Sequence, residues 1–188
     1  MKFHSLFLVV VIFCFFASCN ENSKNPEEKN NTKSGNEIHE NAEPSITQDE
    51  YFSVTFPSKP KVSVKETDTE FGIRKVTMYD LDYKGSRMQF IFSDYPQLII
   101  ELGGTEDIIN GVLDVVASQT GSILLNDSTI NISGKEAGLY EFKSGEYYLK
   151  IAIFFVENRL YQILYRIILE SDNSIQEDFL KSFSLKLK

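Results

Sequence analysis

The chain has 188 residues, 27 of them Asp or Glu against 19 Lys or Arg, for a formal charge of −8. That length favours one domain with targeting or linker segments to spare. The acidic balance argues against nucleic acid as a partner, because binding a phosphate backbone needs clustered cations. Both cysteines, Cys14 and Cys19, lie near the N-terminus, so the remainder must fold without disulfides or a Cys-ligated metal.

Residues 1–18 read as a signal peptide. Lys2 supplies a positive start, Leu6 to Ala17 is an unbroken apolar run, and Ala17-Ser18 are small residues before Cys19. As a helix the run would reach about 18 Å, short of a hydrocarbon core of about 30 Å, which disfavours a permanent span. Phe16-Ala17-Ser18-Cys19 resembles the lipobox of bacterial lipoproteins, with Phe16 where that pattern usually has Leu. The resemblance implies a diacylglyceryl thioether on Cys19, cleavage before it, and lasting attachment to a membrane of the cell envelope. Asn20 is not the Asp that resembles an inner-membrane retention signal, which leans toward the outer membrane in a source that has one.

Residues 19–48 comprise the lipid-bearing Cys19 and a linker. Its only large apolar side chains are Ile38 and Ile46, too few to offset the entropy of ordering it. A coil of that length spans about 30 Å, enough to lift a domain off the headgroups. Residues 49–188 form the expected single domain, where 21 acids face 15 bases.

Inside that domain the pattern is one of short apolar runs broken by Gly, Asn and Asp. Phe52, Val54 and Phe56 alternate before Pro57, and Val62 and Val64 after Pro60. From Ile73 to Tyr83 the apolar phase changes, which a bulge near Met78 would reconcile. Tyr83 to Arg87 reads as a hairpin turn into Met88, Phe90 and Phe92. Thr105 can cap a helix with Glu106 and Asp107 in its first turn and Ile108, Val112, Val115 and Val116 on one stripe, ending near Gly121. Strands resume at Ile130 and Ile132 and at Leu139 to Phe142. Tyr147 to Val156, apolar on both alternating sides, reads as a strand covered on both faces. Glu157-Asn158-Arg159 then turns the chain into Leu160 to Leu169. Ser174 with Glu177 matches a capping box opening a last helix through Phe183. The sum is α+β, with a largely antiparallel sheet flanked by one central and one C-terminal helix.

Several of these segments together resemble the PsbP-like superfamily, which includes the extrinsic photosystem II subunit and bacterial envelope proteins of the DcrB type. They are Phe52 to Pro57, the central helix, Ile132-Ser133-Gly134 with Gly138, Arg159-Leu160-Tyr161, and Phe179 to Phe183. The resemblance spans most of residues 50–186. It implies a twisted antiparallel sheet sandwiched by helices, usually in a non-catalytic role, and supplies no catalytic motif.

The residues themselves carry little chemistry. His4 and His39 lie outside the domain, as do both cysteines, which removes the usual Ser-His and Cys-His nucleophiles and the usual zinc ligands. Gly103-Gly104 lacks the following Gly-Lys of a phosphate loop. Lys59, Lys61 and Lys65 fall on one alternating side and read as a solvated strand face. Asp80 and Asp82 share one strand face and, with Asp94, are the one candidate for a Ca²⁺ site or an acid and base pair, against the plainer reading of solvated acids. No catalytic residue, cofactor or metal is expected. The expectation is a non-enzymatic, membrane-anchored binding or assembly module with an envelope protein partner. The alternative is a carrier of a small apolar ligand or lipid, suggested by 15 Phe and 9 Tyr.

Overall fold

A computed structural model describes residues 43–69, 71–145, 147–168 and 174–186. The signal segment, Cys19 and the linker through residue 42 lie outside the described residues. The compact unit that begins at Glu43 contains strands β1 (Ser45–Gln48), β2 (Phe52–Phe56), β3 (Lys61–Thr69), β4 (Gly72–Tyr83) and β5 (Ser86–Asp94). Helix α1 (Gln97–Thr120) follows, then β6 (Ile123–Ile132), β7 (Lys135–Ser144), β8 (Tyr147–Val156), β9 (Arg159–Ile168), helix α2 (Ser174–Lys181) and β10 (Ser184–Leu185).

Seven strands form one antiparallel sheet in the order β3-β4-β5-β9-β8-β7-β6. It is two meanders, β3-β4-β5 and β6-β7-β8-β9, whose last strands pair with each other. Short hairpins require that sequential strands be neighbours, so only α1 can carry the chain from β5 to the far edge at β6. It is not one straight rod, since Gly104 is non-helical, but its longer part, residues 105–120, reaches about 24 Å, enough to cross four strand spacings of about 19 Å in all. The end of α1 is fastened where this puts it: the Ser144 and Tyr147 hydroxyls, at the adjoining ends of β7 and β8, donate to the Thr120 carbonyl at 2.8 and 3.5 Å.

The opposite face is covered by a three-stranded sheet, β1-β2-β10, together with α2. Here the alternation of β2 decides the packing, because Phe52, Val54 and Phe56 all point down and are 0% exposed. The Phe52 ring lies 4.6 Å from Phe90, 5.3 Å from Phe92 and 6.3 Å from both Tyr161 and Phe183. Phe56 meets Phe179 of α2 at 4.8 Å. Rings at such tilted and edge-on separations add to the burial energy through their quadrupoles.

The α+β architecture, the interior strand β8 and the Tyr83–Arg87 hairpin are as the sequence predicts, with Lys84 and Gly85 both at positive φ (49° and 80°). Four details differ. The linker assigned through residue 48 gives way earlier, because Ser45–Gln48 pairs with β2. Backbone pairing holds this strand, and its Ile46 is exposed, so no apolar alternation announced it. There is no bulge at Met78: β4 pairs continuously with both neighbours, and the change of apolar phase reflects burial on both faces. The register shift lies in β6, between Leu124 and Asn126. An additional helical stretch from Gln97 precedes the helix expected from Thr105, the two meeting at non-helical Gly104 (φ 76°, ψ 161°), and Gly121 ends the second in the left-handed conformation as expected. Finally, α2 stops at Lys181, and Phe183 leads instead into β10, beside β2.

Replacing Phe52 by Ala should lower the unfolding free energy by about 3–5 kcal/mol, whereas Val62→Ala on the exposed edge should change it by less than about 0.5 kcal/mol. Urea unfolding of both variants checks this, and equal losses would contradict the account of the core.

Candidate functional site

The three carboxylates singled out in the sequence do not converge. Asp80 and Asp82 share a face of β4, opposite Gln89 and Arg87 in the register. Asp94 ends β5 on the face of Phe90 and Phe92, so it lies through the sheet and five residues, about 17 Å, further along. Nor is Asp80 a solvated acid. It accepts two hydrogen bonds from Arg87, Nε to Oδ1 and Nη2 to Oδ2, each 2.8 Å, with both side chains more than four-fifths buried. The hydrogen bond with Asp80 raises the Arg87 pKa against the opposing effect of burial. Among the described residues, no group of three His, Cys, Asp or Glu could hold a metal ion.

Asp94 belongs to a second arginine node, built where β5, the β8–β9 hairpin and the β1–β2 turn meet. Arg159 stands directly across from it in the register and donates from Nε at 2.6 Å and from Nη2 at 2.9 Å. The guanidinium is packed against the rings of Tyr51 at 4.4 Å and Phe92 at 4.8 Å, a stacking suited to a planar, weakly hydrated cation. Burial disfavours its charge, but the hydrogen bond and charge of Asp94 outweigh this and leave the pKa above the ordinary arginine value. Asp49 approaches the free edge, Oδ2 to Nη1 3.8 Å, while its Oδ1 accepts the amides of Tyr51 and Phe52. The node therefore ties the entry of β2 to the large sheet. Nothing in it is arranged to attack or protonate a substrate.

The residues that carry the family resemblance prove to be fold-holding. Ser133 and Gly134 take positive φ (51° and 80°) in the β6–β7 turn, and the Ser133 hydroxyl accepts the Leu185 amide at 3.2 Å, anchoring β10. Gly138 lies under the Tyr140 ring, where a Cβ would come within 2.6 Å of it. Tyr161 stacks on Phe154 at 5.2 Å. Gly103-Gly104 marks the interruption in α1 rather than a phosphate cradle. Lys61 and Lys65 are exposed on one face of the edge strand β3, and on that face Lys61 stands across from Asp80 in the register, so the stretch is not purely basic.

Two features were not read from the sequence. The first is a polar inlay on the α1 face of the two middle strands: Gln89 and Ser93 on β5 and Gln162 on β9, all buried. Spacing alone could not distinguish these from surface polar residues. The second is the exposure of Ile123, Leu124 and Leu125 at the start of β6. All residues from Ile123 to Thr129 are exposed, so this part of the edge strand has no core on either face.

No family model matches the chain, and no curated protein matches it. Among solved structures, it is similar to cyanobacterial PsbP (CyanoP) from Synechocystis sp. PCC 6803, at 13% identity and a TM-score of 0.52, over 84% of this chain and 98% of that one. A protein from Bacteroides thetaiotaomicron aligns at 11% identity and a TM-score of 0.43, over 78% of this chain and 49% of that one. The first likeness shows a PsbP-like α+β fold.

Two solution tests follow from the electrostatics. Asp94→Asn leaves a mostly buried guanidinium with one weaker partner and should cost about 1–2 kcal/mol of stability, measurable by urea unfolding; an unchanged midpoint would remove the node from the forces holding β2. Burial, with Glu177 and Glu141 nearby, pushes the Tyr165 hydroxyl up to about 12. The folded state thus holds this proton more tightly than the unfolded chain does, and the associated stability is intact below about pH 10. It is lost as the pH rises toward 12, so Tyr165→Phe should flatten that part of the stability profile, and a profile as steep as that of the parent would refute the assignment.

Proposed function

We propose that the chain is an envelope lipoprotein, anchored through acyl groups on Cys19, whose PsbP-like domain is a non-catalytic binding or assembly module for another envelope protein. The lipobox-like Phe16 to Cys19 segment and the polar stretch after it support the anchor. Among the described residues, no helix is long and apolar enough to cross a membrane, and attachment by lipid requires none.

The observation that carries the module reading is the open edge at β6. This ten-residue strand pairs on one side only, with β7, among the described residues. Proteins usually guard such an edge with charge or proline. This one instead opens on Ile123, Leu124 and Leu125, about half to two-thirds exposed. Consecutive exposed aliphatic residues beside unpaired backbone groups suit an added strand, with main-chain bonds for affinity and side-chain contacts for choice of partner.

Metabolic labelling with a palmitate analogue should mark the wild type and not Cys19→Ala; equal labelling would reject the anchor. A photo-crosslinking amino acid at Leu125 should give a discrete protein adduct in intact cells, whereas one at exposed Lys84, in the β4–β5 turn, should not. No adduct from Leu125, or the same adducts from both positions, would reject the edge as the docking surface.

A further inference from the structure

The two open edges of the large sheet are not alike. β3 carries Lys61, Lys65, Glu66 and Asp68, charges of both signs that discourage an added strand. β6 carries one charge, Asp127, behind its exposed aliphatic start. The imbalance extends beyond the strand. Between Arg87 and Lys135 the chain has no Lys or Arg but holds Asp94, Glu101, Glu106, Asp107, Asp114 and Asp127. Of these, only Asp94 enters an ion pair among the described residues, with Arg159.

The register brings two of the remaining acids to the β6 edge. Asp127 stands across from Tyr140 on β7. Burial, and after it the charges of Asp127 and of Glu106 on α1, raise the pKa of the Tyr140 hydroxyl, so a carboxylate of the strand and one of the helix lie near the same atom. Alternation along β7 puts Gly138 and Phe142 on the Tyr140 face and Lys135 and Lys143 on the other. On β8, Leu149, Ile151 and Ile153 share that face, while Lys150 does not. Neither α1 nor the face of β6, β7 and β8 that lies toward it therefore supplies a cation.

The order of residues along β6 adds a direction. From Ile123 to Asp127 the exposed side chains pass from aliphatic to acidic. A strand that extends the antiparallel sheet runs the opposite way, so it meets Asp127 first and Leu125 to Ile123 after it. A second copy of this chain is a poor occupant, because its own β6 brings no cation and the same acid to a contact that is already negative.

We propose that the occupant of the β6 edge is an extended segment of another protein in which Lys or Arg precedes a run of aliphatic residues, paired antiparallel so that its cations lie by Asp127 and Glu106 and its aliphatic side chains cover Ile123, Leu124 and Leu125. This rests on the reading of β6 as a docking edge and adds the chemistry and direction of what docks. Main-chain bonds supply the affinity common to any added strand, and the unneutralised carboxylates steer and select a basic one.

The test uses the full chain in a non-ionic detergent and three end-capped peptides carrying an uncharged fluorophore: lysines followed by valines, the same residues in reverse order, and glutamates followed by valines. By fluorescence anisotropy at low salt, the first should bind at least about tenfold more tightly than the glutamate peptide and more tightly than the reversed one, with the gap to the glutamate peptide closing as salt rises toward about 0.5 M. Asp127→Asn should narrow the lysine-over-glutamate preference by about threefold, the scale of one exposed ion pair, whereas Asp178→Asn, which removes an equal charge from the exposed side of α2, should leave it unchanged. Equal binding of the lysine peptide and either of the others, or the same narrowing from both substitutions, would overturn the proposal and leave the docking edge standing. Binding of no peptide would remove the edge as well. Photo-crosslinks from Leu125 of one copy to β6 of another would assign the edge to a second copy and equally overturn the proposal.

Discussion

The arrangement depends on one constraint: five residues, Phe52 to Phe56, must bury every second side chain against a sheet formed by strands far away in sequence. Phe52, Val54 and Phe56 have no exposed surface, and the rings around Phe52 come from β5, β9 and the segment before β10. A short strand cannot remain in place through its own hydrogen bonds, since small isolated pairings are marginal in water. It is held because removing it would open an aromatic core on one whole face of the large sheet. β1 and β10, only four and two residues long, then form on its two edges.

That packing explains where the charged groups sit. Arg159 closes the end of the layer, joining Asp94 of the large sheet to Asp49 at the entry of β2. The Arg87–Asp80 pair does similar work on the other face, binding β4 to β5. Both pairs are cross-strand, bidentate and partly shielded by neighbouring side chains, which makes them worth more than ordinary surface ion pairs. Carboxylates committed in this way are poor candidates for proton transfer, and they are spread over two faces of the sheet.

The same topology leaves the molecule asymmetric in what it offers. One face of the large sheet is sealed with rings. The other combines aliphatic residues with the buried amides of Gln89 and Gln162, and among the described residues the sheet ends in two open strands, β3 and β6. α1 is responsible for much of this, because it carries the chain past three strands and deposits β6 at an edge that is unpaired among the described residues. The surfaces that this route leaves open are the ones on which the proposed binding role rests.

The sequence by itself determined the α+β class, most strands, the hairpin at Lys84-Gly85 and the helix stop at Gly121. Those features rest on short-range physics: alternation, positive φ at glycine, and a stripe of aliphatic residues at helical spacing. Some fold-bearing residues were legible as a pattern without their roles, as with Gly138, whose missing side chain makes room for Tyr140. Strand order, by contrast, was decided only in three dimensions. So were β1 and β10, which are held by backbone pairing with β2 and show little pattern of their own. The separation of Asp80 from Asp94 also belongs there, since two acids fourteen residues apart read alike whichever face they occupy. The buried Gln162 is the clearest case: its amide looks like any surface polar group until neighbouring strands enclose it, because burial is a property of the assembled layers and not of a residue.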